Sequence, residues 1–436
     1  MIWGTGTVLL IFCTGIYFTI RTGFFQFRKI RVIFSETLFS LRQKSSSAHT
    51  VTQFQALSTA LAASMGTGNI VGVASAIALG GPGAVFWMWV SAFFGMATAY
   101  AENVLGVYYK QKSGKNALNG PMLYLEHGLK SKPAAVIYAF SCMIGSFGIG
   151  NMTQANAISE AAFTSFSVPK ELCGIVICVL AGIVILGGSM RTAKVTEKII
   201  PFISLFYILG SIILIVVFYK SIPSVLSNIF TSAFGLRAAA GGTAGYLIKT
   251  AVTTGLKRGI FSNEAGLGSS VLVHTAADCK EPVKMGMWAI AEVFIDTIVC
   301  CTVTALVILC TRTTVPADAG VSVVIDAFST FFGGFAEIFI TVSTTVFAFA
   351  TLLGWSFYGV QCAEYLCPTK RKLGLAFVYK LVFIGLIYIG SITAIKLVWS
   401  VSDVFNGLML IPNLIAILFL SKDVVDITRK YTNSKK

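Results

Sequence analysis

Charge is scarce in this chain, and negative charge scarcer still. Asp, Glu, Lys and Arg make up 12% of its 436 residues, about half the share of a soluble domain. That argues against two or three soluble domains over this length. Histidine is nearly absent: His49, His127 and His274 are scattered and no HExxH occurs. A histidine-based metal centre or catalytic cluster therefore has no support. The 10 cysteines form no CxxC pair, and most sit in apolar runs, where Cys behaves as a small buried apolar residue. Only 18 acidic residues oppose 33 basic ones, a net charge of +15. The excess invites a nucleic-acid reading. The basic residues lie mostly between apolar runs and not on one soluble face, so no nucleic-acid partner is expected.

What the chain has in quantity is apolar sequence. Hydrophobic residues reach 56% and mean hydropathy is +0.81. Continuous apolar runs of about 20 residues fit membrane-spanning helices. They do not fit the short alternating segments of a barrel. The runs predict one all-α polytopic membrane domain of about eleven spans. These fall near 2–20, 53–79, 84–109, 134–163, 171–188, 197–219, 240–275, 285–310, 336–364, 374–395 and 398–420. The first run has no basic leader and no small-residue cleavage site, so it reads as a span and not a signal peptide. Residues 24–43 mix aromatics with basic residues, as an interfacial helix would. Residues 322–335 are too short to cross and would lie flat or re-enter.

Lysine and arginine give the expected orientation. With the first end outside, 24 of the 33 fall in inner segments, five in outer segments and four within spans. This positive-inside asymmetry puts the carboxyl end in the cytoplasm. It also explains the net charge as orientation and attraction to anionic lipid.

Two spans carry interruptions. "SMGTGNIVGVAS" (64–75) holds Gly66-Thr67-Gly68-Asn69 inside an apolar run, and glycine lowers the cost of opening a helix. The seventh span is too long for one crossing and holds "RGIFSNEAG" (258–266) at its centre. Asn69, Gly72 and Ser75 align with Asn263, Gly266 and Ser269. The two spans are five apart and run in opposite directions, the pattern of an inverted five-plus-five repeat. The repeats would cover 53–219 and 240–420, after an extra first helix and before a cytoplasmic tail at 421–436. Paired interrupted helices point to a transporter's binding site. Small residues that only pack helices are the plain alternative.

An opened helix leaves N–H and C=O groups unpaired in hydrocarbon. N–H groups at a half-helix end suit a carboxylate, and freed carbonyls suit Na⁺ or an ammonium. A zwitterionic amino acid with a cation matches both. Asn151 and Gln154 stand three apart, and Thr351 and Trp355 four apart, each pair on one helical face. Trp355 could wall a small pocket. Glu292 and Asp296, also four apart, read as proton carriers or, in preference, as ion-pair partners of Lys249, Lys257 or Arg258.

These residues resemble the alanine/glycine:cation symporter family over nearly the whole chain. The match is carried by "GTGNIVGVASAIALGGPGAVFWMWVSAFFGMAT" (66–98) and "KRGIFSNEAGLGSS" (257–270). "GNMTQAN" (150–156), "EVFIDTIVCCTVTALVI" (292–308) and "TLLGWSFYG" (351–359) support it. Ala350 and Val360 depart from the pattern, which carries a hydroxyl residue and a Glu there. The resemblance implies a LeuT-like fold and Na⁺-driven uptake of alanine or glycine across the plasma membrane. It places substrate beside Thr67, Gly68 and Asn69, with Gln154, Phe261, Thr351 and Trp355. Sodium would sit near Ala62, Met65 and Thr351. No cofactor is implied beyond Na⁺ as coupling ion, and the implied partners are a small neutral amino acid, Na⁺ and membrane lipid. The oligomeric state stays open. A proton-coupled transporter of the same fold is the alternative; no selectivity-filter repeat supports a channel and no nucleophile–base pair an enzyme.

Overall fold

The start of the second span shows how local sequence sets a helix. Thr52 Oγ1 accepts from Gln55 N at 3.0 Å, and Gln55 Oε1 accepts from Thr52 N at 3.0 Å. This reciprocal pair satisfies two donors that a helix start leaves open. The computed structural model describes residues 5–37, 51–114, 118–235, 244–312, 315–316, 320–367 and 372–434.

Among the described residues, thirteen helices build the spans. They are α1 Thr5–Arg21, α2 Gln53–Ser64, α3 Val71–Gly80 and α4 Gly83–Ser113. Next come α5 Lys132–Phe166, α6 Lys170–Leu186 and α7 Ser189–Val217. The second half holds α8 Ala244–Asn263, α9 Val271–His274, α10 Pro282–Thr311, α11 Phe335–Leu366, α12 Lys372–Ile392 and α13 Ile395–Phe419. Among the described residues, 7 helices are individually long and apolar enough to cross a membrane. α1 and α6 are 17 residues each, and the pairs α2–α3 and α8–α9 each cross as one interrupted unit. These account for the eleven expected spans.

The fold is the LeuT-like five-plus-five arrangement with one helix ahead of it. α2–α3 through α7 form the first five spans, and α8–α9 through α13 the second. Corresponding members pack on each other: α3 on α8, α4 on α10, α5 on α11 and α6 on α12. Elements that lie close to a two-fold axis meet their counterparts in this way. The outer faces are apolar. α6 exposes Leu172, Ile175, Val179 and Ile183, and α7 exposes Phe202, Leu205, Leu209 and Val216. Soluble monomers do not carry continuous apolar faces of this size.

Two spans contain wider turns. α5 includes a π-helical turn at Gly148–Met152, and α10 includes a longer one at Phe294–Cys301. Such turns insert a residue into the helical repeat and often mark functional sites.

Between spans the described residues include further helices. The described part of the segment expected at 24–43 forms two short helices, Phe25–Arg28 and Ile30–Glu36. Its residues 38–43 lie outside the described residues, as do 2–4 of the first expected span, 240–243 of the seventh and 435–436 of the tail. Ile222–Ala233 links the halves. The short stretch expected at 322–335 is a 12-residue helix, Val321–Phe332, stopped at Gly333 with φ +55°. A helix at Ser421–Ser434 follows α13. The isolated bridge Val51–Ala277 is the β-type pairing present among the described residues.

Candidate functional site: two facing helix breaks

The first break lies between α2 and α3. In an unbroken helix Gly66 N would bond Ala62 O and Thr67 N would bond Ala63 O. Instead Gly66 N turns to Ser64 O at 2.9 Å, and Thr67 N donates to Gln154 Oε1 at 3.1 Å. Ala62 O, released, accepts from Thr351 Oγ1 at 2.7 Å. Side chains from α5 and α11 thus replace lost helix bonds. Gly66 makes this approach possible: a Cβ there would overlap Thr351 Oγ1 and lie 2.8 Å from Gln154 Oε1. At Gly68 a Cβ would stand 3.1 Å from Ser262 Cα and 3.4 Å from Phe261 Cδ1. The two breaks therefore face each other at backbone contact.

The second break, between α8 and α9, is longer. Glu264, Gly266 and Gly268 take φ of +56°, +92° and +72°. Two of the three are glycines, for which this conformation is easy. Asn263 Oδ1 accepts from Ala265 N at 3.1 Å. Leu267 O accepts from Tyr138 Oη at 2.7 Å, and Gly266 O from Asn413 Nδ2 at 2.9 Å. Asn413 also donates to Glu102 and accepts from Tyr124.

One carboxylate joins the breaks. Asp296, fully buried, accepts through Oδ1 from Asn69 Nδ2 at 2.7 Å. Its Oδ2 accepts from Ser262 Oγ and from Thr297 Oγ1, both at 2.7 Å. Asn263 Nδ2 donates to Thr297 Oγ1 at 3.1 Å. The aligned residues Asn69 and Asn263 thus end on adjacent positions of α10.

The structure brings Thr67, Gly68, Asn69, Gln154, Phe261, Thr351 and Trp355 into one buried region, the six side chains beside Gly68 at most 4% exposed. Phe261 packs against Trp399 with centroids 4.5 Å apart. Trp355 lies over Gly150, where a Cβ would overlap it, and donates from Nε1 to Glu264 Oε1 at 2.8 Å. Ala62 and Thr351, named for sodium, meet directly; Met65 closes α2 at the same point, with N on Leu61 O at 2.7 Å. Two buried acceptors in the first break, Thr67 Oγ1 and Asn69 Oδ1, have no hydrogen-bond partner.

Two expectations are corrected. Asn151 does not share Gln154's surroundings: its Nδ2 donates to Phe383 O at 2.6 Å, on α12. The π turn at Gly148–Met152 changes the angular spacing, so three residues no longer mean one face. Glu292 and Asp296 are not ion-pair partners of Lys257 or Arg258. Lys257 pairs with Asp403, Arg258 stacks on the Trp399 ring with its guanidinium carbon 4.0 Å from the centroid, and Glu292 bonds His274 Nε2 at 3.0 Å. The two carboxylates have different hydrogen-bond partners, His274 for Glu292 and Asn69, Ser262 and Thr297 for Asp296. Sequence reasoning missed Asp296 as the link, and the nearby Ser262 and Thr297 were its available signal.

Facing broken helices, one at the start of each inverted repeat, define a secondary transporter, and not an enzyme. The chain belongs to the sodium:alanine symporter family, whose description covers residues 1–436, and it is a sodium-coupled amino-acid symporter of the membrane. It is 40% identical to the sodium/alanine symporter AgcS of Methanococcus maripaludis, over 100% of this chain and 96% of that one. It is 37% identical to the probable sodium/glutamine symporter GlnT of Bacillus subtilis, over 100% of this chain and 90% of that one. Among solved structures, MhsT in complex with L-phenylalanine superposes with TM-score 0.60 at 13% identity, covering 86% of this chain and 89% of that one. That likeness is one of fold.

Proposed function

We propose that the protein imports a small neutral amino acid, alanine or glycine, together with Na⁺ by alternating access. The observation that carries this is the pair of buried, unpartnered acceptors, Thr67 Oγ1 and Asn69 Oδ1, in a break where Gly66 and Gly68 bring the backbone against Thr351, Gln154 and Phe261. Buried polar atoms without partners are costly, and a ligand with donors relieves them.

The substrate ammonium is met by these acceptors and the carbonyls released by the break. Its carboxylate is met by the first-turn N–H groups of α3, whose dipole favours negative charge. Hard oxygen ligands suit Na⁺, and the Ala62 carbonyl, the Met65 carbonyl and Thr351 Oγ1 form such a set. Sodium there draws α2 to α11, and bound substrate draws α3 to α8. Closure of both sides is the population shift that alternating access needs. Trp355 caps the space and limits the side chain. We place the carboxyl end in the cytoplasm on the lysine and arginine asymmetry.

The test is counterflow in proteoliposomes loaded with alanine, with glycine, serine, glutamine and leucine as competitors, with and without Na⁺. Alanine and glycine are expected to compete and leucine to fail. Efficient competition by glutamine with none by alanine would overturn the substrate assignment. Replacing Na⁺ by choline at fixed pH separates sodium from proton coupling: unchanged uptake would favour the proton.

A further inference from the structure

Glu264 has no role in the scheme above, yet three features single it out. It is a non-glycine residue in a left-handed conformation, with φ +56°, inside the second break. Such conformations are strained and cluster at functional positions. It is 3% exposed, within the membrane domain, and its two carboxylate oxygens are used separately. Oε1 accepts from Trp355 Nε1 at 2.8 Å, and Oε2 accepts from Ser269 Oγ five residues along the same break.

We infer that Glu264 is the positioning residue that sets the pocket's side-chain size limit, by fixing the rotamer of Trp355. The inference rests on the reading that Trp355 walls the pocket. An indole has two side-chain torsions and a single N–H donor, so one strong hydrogen bond at the ring's far end fixes its plane. The acceptor is a carboxyl oxygen, which takes the indole N–H at 2.8 Å whether or not the acid carries a proton on its other oxygen. The near end is packed at Cβ and Cγ, which leaves the orientation of the ring's far end to the hydrogen bond. Gly150 is bare backbone against Trp355, and Tyr358 packs edge-on with centroids 5.4 Å apart. Between these two points the indole is a fixed wall.

The bond also crosses the architecture. Trp355 belongs to α11 and Glu264 to the α8–α9 break, so the wall is assembled from two elements. Ser269 holds the opposite oxygen and keeps the carboxylate aimed. Without Glu264 the indole swings about its torsions and the pocket admits longer side chains, although no atom of Glu264 touches the substrate.

The test measures the ratio of leucine to alanine inhibition constants for alanine uptake, in proteoliposomes at saturating Na⁺ and normalised to reconstituted protein. The variants are Trp355→Ala, Trp355→Phe, Glu264→Gln, Glu264→Ala and the double variant Trp355→Phe/Glu264→Ala. Trp355→Phe keeps a ring and loses the N–H. Glu264→Gln keeps an acceptor oxygen for the indole. Glu264→Ala and Trp355→Phe are each expected to lower the ratio about tenfold, a usual scale for hydrophobic discrimination. Glu264→Gln is expected to keep the wild-type ratio, and the double variant to go no further than the single ones, as residues acting through one bond do. A uniform loss of uptake in Glu264→Ala with an unchanged ratio would overturn the inference. If Glu264→Ala fails to fold, the Trp355→Phe and Glu264→Gln pair decides: an altered ratio in the first with a preserved one in the second supports it. A wild-type ratio in Trp355→Phe beside an altered one in Trp355→Ala overturns the inference and leaves the pocket wall standing. A wild-type ratio in Trp355→Ala removes Trp355 from the pocket, and the inference with it.

Discussion

The two helix breaks look alike in sequence and differ in how their loose ends are met. At 65–70 the displaced backbone groups are taken by side chains of other spans, Gln154 and Thr351. Polar side-chain atoms of the break itself are left without partners. At 264–270 the carbonyls are held by Tyr138 and Asn413, within a net that includes Glu102 and Tyr124. The first break leaves its own polar side-chain atoms unpaired; in the second both Glu264 oxygens are bonded, and the unpartnered atom is Oε2 of Glu102 beside it. The first is therefore the place where a ligand gains most, and the second is the support against which it is held.

Substitutions at the two breaks should then fail differently. Asn69→Ala has the largest expected effect. It removes an unpartnered acceptor and the donor to Asp296, and sodium-dependent alanine uptake should vanish while membrane expression persists. Uptake above about a tenth of wild type would break the contrast, since a lost buried polar contact in a transport site should cost more than about 1.4 kcal/mol. Thr351→Ala comes next. It removes the hydroxyl on the Ala62 carbonyl and should raise the sodium concentration for half-maximal uptake about tenfold. An unchanged sodium dependence would take Thr351 out of the ion's reach.

In the second break the loss should appear as stability. Asn413→Ala strips partners from Gly266 O, Glu102 and Tyr124 at once. It should destabilise the protein by about 1–3 kcal/mol, the usual cost of orphaned buried groups, seen as a lower melting temperature in detergent. The alanine KM of protein that remains folded should move less than about twofold, under 0.5 kcal/mol. A large KM change with unaltered melting would reverse the assignment of the two breaks. Asn151→Ala has the smallest expected effect on transport, because its amide serves Phe383 on α12. A strong uptake defect without loss of expression would return Asn151 to the site.

The spans were legible because membrane helices advertise themselves by length and polarity. The breaks were legible because Gly66, Gly68 and Gly266 sit where an apolar helix has no use for them. Partnerships around α5 and α10 were not. A three- or four-residue spacing predicts a shared face only while 3.6 residues make a turn. The π turns at Gly148–Met152 and Phe294–Cys301 break that arithmetic. Asn151 and Gln154, and Glu292 and Asp296, accordingly end on different partners. Charge complementarity misled for a related reason. It matched Asp296 with lysine or arginine, whereas the fold surrounds it with Asn69, Ser262 and Thr297. Long-range neutral partners leave no periodic trace in a single chain.

The difference between the breaks is most directly tested by hydrogen–deuterium exchange on the purified wild-type protein. The comparison is between Na⁺ with alanine and choline without it. Slower exchange confined mainly to the amides of 65–75, with 264–270 little changed, is the expected result. Protection at 264–270 with none at 65–75 would contradict the assignment of the ligand to the first break.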